Sequence, residues 1–107
     1  MRDPEYLIQL LKEMSDRVDG RILCPKTLDS EESALNRYHH VEQLVDADHA
    51  EWVNKLGVAR IKSQGYEFLN AIESQPKAKK EFLDLINKGV SYADAAVRAI
   101  SLVEKLI

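Results

Sequence analysis

The stretch that decides the fold is HAEWVNKLGVARIK, residues 49–62. It contains two short segments of mixed apolar and polar residues, 49–54 and 58–62, joined by the tetrapeptide NKLG at 54–57. Segments of this kind with a glycine in the connection predict a two-stranded hairpin with a very small tip. The apolar residues on both sides of the hairpin recur at helical spacing, so we expect the rest of the chain to be mostly helical.

Two helices are predicted before the hairpin. The first begins at Asp3-Pro4-Glu5, which supplies a cap, a proline for the first helical position and an acid near the positive end of the helix dipole. We expect it to end at Gly20 after an apolar stripe of Tyr6, Leu7, Leu10, Leu11, Met14 and Val18. A short strand at 21–24 follows. The second helix should open at the capping pair Asp29 and Glu32, extend to about Val45, and bury Leu35, Tyr38, Val41, Leu44 and Val45.

Three helices are predicted after the hairpin. Ser63 can cap the first of them, whose core face would consist of Tyr66, Phe68, Leu69 and Ile72. Pro76 separates it from a helix over 77–88, and a last helix starts from the capping box of Ser91 and Asp94. The sequence therefore predicts a mostly α fold with a small β-hairpin (α+β), made of a winged helix-turn-helix core at 1–75 and a C-terminal helical extension at 76–107.

The composition limits the classes of protein to consider. The chain has 107 residues, 45% of them hydrophobic and 31% charged, as expected for one globular domain. No apolar run approaches the roughly 20 residues of a membrane span, and the charged start MRDPEY has no apolar signal region behind it, so we expect a cytoplasmic protein that contacts no membrane. The single cysteine, Cys24, lies in an apolar run and is expected to be buried.

Three segments resemble a known family. They are YHHVEQLVDADHAEWV at 38–53, RIKSQGYEFLNAI at 60–72 and the opening MRDPEYLIQLL, and the residues that carry the likeness are Tyr38, His39, Gly65, Phe68, Leu69 and Ile72. Together they are similar to a winged-helix-like family of uncharacterised bacterial and phage proteins catalogued as a domain of unknown function. The resemblance implies a fold and supplies no activity. The chain departs from the pattern at Asp48-His49, where relatives have a glycine turn, and in its shorter wing.

The three histidines do not have the spacing of a metal or catalytic site. His39 and His40 are adjacent and point about 100° apart on a helix, and neither has a histidine four residues later. His39 with Glu42, or His49 with a nearby acid, could share a proton, although such local pairs are usually only solvated. The sequence also lacks a Gly-rich phosphate loop and a nucleophile elbow. We therefore expect no enzyme activity, no metal and no cofactor.

The polar face of the second helix is the predicted DNA-binding surface. Helical spacing places Ser33, Asn36, Arg37, His40 and Gln43 on one strip, and we expect this strip to be exposed. Arg can bond guanine, Asn or Gln can bond adenine, and Ser or His can reach a phosphate or a base edge. Lys55, Arg60 and Lys62 on the hairpin would hold the DNA backbone. The sequence thus predicts a regulator that binds double-stranded DNA.

Two further interpretations stay open at this stage. Residues 1–76 carry nine Lys/Arg and fourteen Asp/Glu, whereas residues 77–107 carry six and four; the acidic first part favours an alternative function as a protein-interaction module, such as a phage accessory factor. The last helix repeats apolar residues that would pair with a second copy, or else cover the main core: Tyr92, Ala96, Ala99, Ile100, Val103 and Leu106. In a homodimer, the cations Lys77, Lys79 and Lys80 could meet phosphate.

Overall fold

The chain is described by a computed structural model that covers residues 3–24, 32–54 and 57–106. The elements in chain order are α1 (Pro4–Ser15), β1 (Arg21–Leu23), α2 (Glu32–Asp46), β2 (Ala50–Trp52), β3 (Val58–Ile61), α3 (Ser63–Ser74), α4 (Pro76–Asn87) and α5 (Tyr92–Leu106). The fold is mostly helical with a small antiparallel sheet, which confirms the predicted α+β class. No helix in the described ranges is both long and apolar enough to cross a membrane.

The start of α1 confirms the predicted cap, but its end differs from the prediction. The Asp3 carboxylate accepts hydrogen bonds from the backbone N–H groups of Glu5 and Tyr6 at 3.1 and 3.2 Å, and Pro4 occupies the first turn. The helix ends at Ser15 instead of reaching Gly20, and Val18 is fully exposed. The chain needs these residues to turn back toward the sheet, and Gly20 adopts a φ of 69° that disfavours other residues there.

The sheet has three strands in the order β1-β3-β2, so the predicted hairpin is present and the predicted strand at 21–24 joins it as an edge. Ile22 and Trp52 both lie opposite Ala59, one on each side of the central strand. Ile22, Ala59 and Ile61 are buried against the helices, because alternate residues of a strand point to the same face. The winged helix-turn-helix part of the prediction remains a prediction.

The α2 and α3 helices bear out most of the predicted apolar stripes. Val41 and Leu44 are buried, while Leu35, Tyr38 and Val45 are half-buried. The capping pair predicted for α2 includes Asp29, which lies outside the described residues. In α3 the cap position is Lys62, which makes no side-chain cap bond, so the predicted Ser63 cap is wrong; Tyr66 is exposed instead of buried.

The close approach of α3 to the end of α2 requires a glycine at position 65. A Cβ built there would lie 2.3 Å from the His49 carbonyl oxygen and 2.8 Å from the Ile61 side chain. No side chain fits at such distances from a backbone atom without displacing it. This contact fixes α3 against the loop that leads from α2 into β2.

The C-terminal helices belong to the same core as the rest of the chain. Phe68 of α3 makes edge-to-face contacts with Phe82 of α4 and Tyr92 of α5, with ring centroids 5.0 and 5.8 Å apart. All three rings are buried in one apolar cluster that also includes residues of α1, α2 and the sheet. The extension predicted at 76–107 therefore packs on the core, which is one of the two arrangements left open by the sequence.

Candidate nucleic-acid interface

The polar strip predicted on α2 is not one exposed surface. Asn36 is exposed, but His40 is only 1% exposed, and the prediction that His40 faces solvent is wrong. Arg37 and Gln43 are half-buried, and the Gln43 side-chain oxygen is buried with no hydrogen-bond partner among the described residues. The side chain of Ser33 lies outside the described part. The physical reason is that α2 packs against α1, β2 and α5, so the arc open to solvent is narrower than helical spacing suggests.

His40 links the start of α1 to α2. Its Nε2 accepts a hydrogen bond from the Asp3 backbone N–H at 3.1 Å, and its Nδ1 lies 2.7 Å from the Asn36 carbonyl oxygen, to which it donates. One ring nitrogen acts as acceptor and the other as donor, so the arrangement requires the neutral ring. The Tyr6 ring packs edge-to-face on it at 4.9 Å. His40 is thus occupied as a structural bridge and has no nitrogen left to contact a base.

Arg37 is held against α1 by the Glu13 carboxylate. Its two terminal nitrogens donate to the two Glu13 oxygens at 3.1 and 2.9 Å, and its Nε donates to the Leu23 carbonyl oxygen at 3.3 Å. Hydrogen bonds from Arg37 are the main cause that lowers the pKa of Glu13 below its usual range. The guanidinium joins α2 to both α1 and β1. Its two terminal nitrogens, which could otherwise make a bidentate contact with a base, are already bonded to a carboxylate.

The two described cations of the hairpin region also have carboxylate partners. Arg60 forms an ion pair with Glu51, which lies directly opposite on β2. The Lys62 ammonium lies 3.6 Å from a carboxylate oxygen of Asp48. Lys55 lies outside the described residues. The part of the predicted interface that the structure describes is therefore charge-balanced instead of positive.

The other two histidines have separate environments. His39 is exposed and lies 2.9 Å from a carboxylate oxygen of Glu42, which is the local pair that the sequence suggested. His49 is buried, and its Nδ1 lies 2.5 Å from the Tyr92 hydroxyl. Burial lowers the pKa of His49 to about 4 and raises the pKa of Tyr92, so both side chains are neutral at pH 7. Within the described ranges, no three His, Cys, Asp or Glu side chains are grouped to hold a metal ion.

The predicted dimer surface on α5 is largely buried. Tyr92, Ala96 and Ala99 are at most 3% exposed and lie in the core, so they are not open to a second copy. Ile100 and Val103 are half-buried, and the side chain of Leu106 is outside the described part. The small alanines sit on the core side because α4 and α3 both pack closely against this helix.

One surface feature was missed by the sequence interpretation. The strand register places Leu23 opposite Val58, and the Val53 backbone N–H donates to the Val58 carbonyl at 2.8 Å on the other side. These three side chains form an apolar row across the outer face of the sheet, and Leu23 is 63% exposed. The alternation of side chains along each strand could have indicated that Leu23, Val53 and Val58 point outward. The pairing of β1 with β3, which brings these residues together, could not be read from the alternation. We call this set the outer apolar row.

Comparisons with known proteins add no identification. None of the family models matches the sequence, and neither the curated proteins nor the solved structures include a match.

Proposed function

We propose that this chain is a protein-interaction module that contacts its partner through the outer face of the sheet. The observation that carries the proposal is the outer apolar row of Leu23, Val53 and Val58, an apolar strip next to a row of charged residues on the same face. Interfaces combine apolar contact with a polar rim, and charged residues are depleted at their centre.

The neighbouring residues supply such a rim. Arg21, Arg60 and Glu51 lie in register as the next row across the same outer face. Arg60 and Glu51 neutralise each other, while no described carboxylate lies within 4 Å of Arg21. A partner surface with an apolar centre and one acidic group at its edge would complement this face.

Double-stranded DNA is the second candidate partner, and a specific observation favours it. The strand order β1-β3-β2, with α2 leading directly into β2, is the order of a helix followed by a wing. Asn36 is exposed at the start of this helix, where it could reach a base edge. Against this candidate, Arg37, Arg60 and Lys62 each have a carboxylate partner, which a DNA phosphate would have to displace.

The test compares two exposed apolar residues on different faces. Leu23 and Val97 are each 63% exposed, but Val97 lies on α5, away from the sheet. A partner is captured with the wild-type chain by crosslinking and identified by mass spectrometry. We expect Val97→Ser to capture the same protein and Leu23→Ser to lose it. Melting curves of the two variants control for folding. Capture of the same protein to the same extent by wild type, Leu23→Ser and Val97→Ser would contradict the proposal.

The DNA candidate is tested in parallel with a random duplex pool at about 50 mM and about 200 mM salt. Enriched sequences that are lost at the higher salt would establish DNA binding and replace the protein-interaction proposal. Failure to retain any duplex at the lower salt would exclude the DNA candidate.

A further inference from the structure

A cleft on another side of the molecule lies between α1, α3 and α4. Its volume is about 400 Å³, and it is lined by Ile8, Lys12, Ile72, Glu73, Pro76 and Lys79. The cleft forms where α3 ends at Ser74 and α4 starts two residues later at Pro76, so that two helix ends meet above α1. Its volume is within the range of about 300 to 1,000 Å³ that is usual for ligand sites.

The cleft has cations at its rim that have no partner in the described part of the chain. No described carboxylate lies within 4 Å of Lys12 or Lys79, in contrast to Arg37, Arg60 and Lys62. Glu73 is the acid among the lining residues, so the lining carries two positive charges and one negative charge. Lys77 and Lys80 are exposed nearby on α4. The lining therefore carries a net charge of +1 on a chain whose net charge is −3.

The floor of the cleft is apolar. Ile72 is only 2% exposed and belongs to the core, Ile8 is half-buried against that core, and Pro76 adds its ring at the edge. A nucleic-acid backbone presents phosphates and sugars and has no apolar group to fill such a floor. A peptide that carries carboxylates on both sides of an apolar side chain matches both the floor and the lysines.

We propose that this cleft binds an acidic peptide segment of a partner protein, with an apolar side chain on Ile8 and Ile72 and carboxylates at Lys12 and Lys79. The site is separate from the outer apolar row, so the inference does not depend on the proposed function. The occupant is recognised by an apolar side chain with acidic residues on both sides rather than by a fixed sequence.

The test is a titration of the ¹⁵N-labelled chain with the blocked peptide Asp-Glu-Leu-Asp-Glu, followed by backbone amide shifts. We expect saturable shifts at Ile8, Ile72 and Lys79. The peptide Asn-Gln-Leu-Asn-Gln tests the need for charge, and Asp-Glu-Gly-Asp-Glu tests the need for the apolar side chain; both should bind more weakly. Absence of saturable shifts with the first peptide, or equal binding of the glycine peptide, would overturn the proposal.

Three lysine variants make the test specific for the cleft. Lys12→Gln and Lys79→Gln should each weaken the peptide by about three- to fivefold, the effect of losing one surface charge pair. Lys88→Gln is the matched control, because Lys88 is an exposed lysine at the far end of α4 and does not line the cleft. Equal weakening by all three variants would mean nonspecific attraction and would contradict the proposal. Leu23→Ser should leave peptide binding unchanged.

Discussion

His49 is buried where α2 turns into the sheet, in contact with aromatic rings from two later helices. Its ring lies 5.1 Å from both Phe68 and Tyr92, measured between centroids, and its Nδ1 is within hydrogen-bond distance of the Tyr92 hydroxyl. Because burial disfavours the imidazolium, the pKa falls to about 4, although the neighbouring Asp48 carboxylate acts in the opposite direction. A single side chain therefore couples the proton concentration to the stability of the core.

The pKa shift of His49 predicts the direction of a pH effect. The unfolded chain, with a histidine pKa of 6.5, binds a proton more readily than the folded chain, with about 4. The contribution of the neutral His49 ring to the free energy of unfolding is therefore fully present above pH 6.5 and is lost as the pH falls toward 4. Between pH 7 and about 4.5 the free energy of unfolding should drop by about 2 kcal/mol from this group. Urea unfolding at both pH values measures the drop.

The variant His49→Gln isolates this group from the carboxylates that titrate in the same range. It should lose stability at pH 7 and show a drop with pH that is smaller by about 2 kcal/mol. The exposed His39 provides the control, since His39→Gln should keep the wild-type drop. If the free energy of unfolding of His49→Gln fell with pH as much as that of wild type, the buried ring would not be the cause of the pH dependence.

At the scale of elements, the sequence predicted features that depend on neighbouring residues better than contacts between distant elements. The Asp3 cap, the break between α3 and α4 near Pro76 and most of the apolar stripe of α2 depend on neighbours in the chain, and the structure has all three. The burial of His40 and the pairing of Arg37 depend on α1, which lies more than twenty residues away in sequence. Helical spacing gives the direction of a side chain but not the element that covers it, so the candidate site was predicted less well than the fold.

The Arg37–Glu13 pair predicts measurable coupling between α2 and α1. Both side chains are about one-third exposed or less, and the pair is bidentate, so a double-mutant cycle with Arg37→Ala and Glu13→Ala should give about 1 kcal/mol. The lowered pKa of Glu13 means that this contribution is present above its ordinary value of 4.5 and is lost as the pH falls below the folded-state value. Urea unfolding at pH 7 measures the cycle.

The Arg60–Glu51 pair is the matched comparison for that cycle. Its side chains are 46% and 39% exposed, so solvent screens the pair more strongly and the coupling should be smaller. Equal or larger coupling at Arg60–Glu51 would contradict the assignment of Arg37 as a structural link.

At the scale of the whole molecule, one core joins the segments that the sequence divided at residue 75. Phe82 of α4 is fully buried and contacts both Phe68 and Tyr92, so its removal affects all three of the last helices. The single tryptophan, Trp52, lies in β2 and stacks on Tyr38 of α2, on the other part of the chain. Its fluorescence therefore reports on the first part of the chain, while circular dichroism reports mainly on the helices.

Phe82→Ala should destabilise the whole chain by about 3 to 5 kcal/mol, because it removes a buried aromatic ring from the shared core. Tryptophan fluorescence and circular dichroism should give the same urea midpoint in wild type and shift together in the variant. A fluorescence midpoint that stays unchanged in Phe82→Ala would show that the first part folds without the C-terminal helices.

The position of β3 also affects how the protein is made. The central strand, Val58–Ile61, is the last of the three in sequence, and both edge strands pair with it. During translation neither edge strand has its partner until residue 61 has left the ribosome. Until then, the sheet that buries Ile22 and Ala50 is not yet formed. The strand order thus makes assembly of the sheet a late event of synthesis, although β1 leaves the ribosome early.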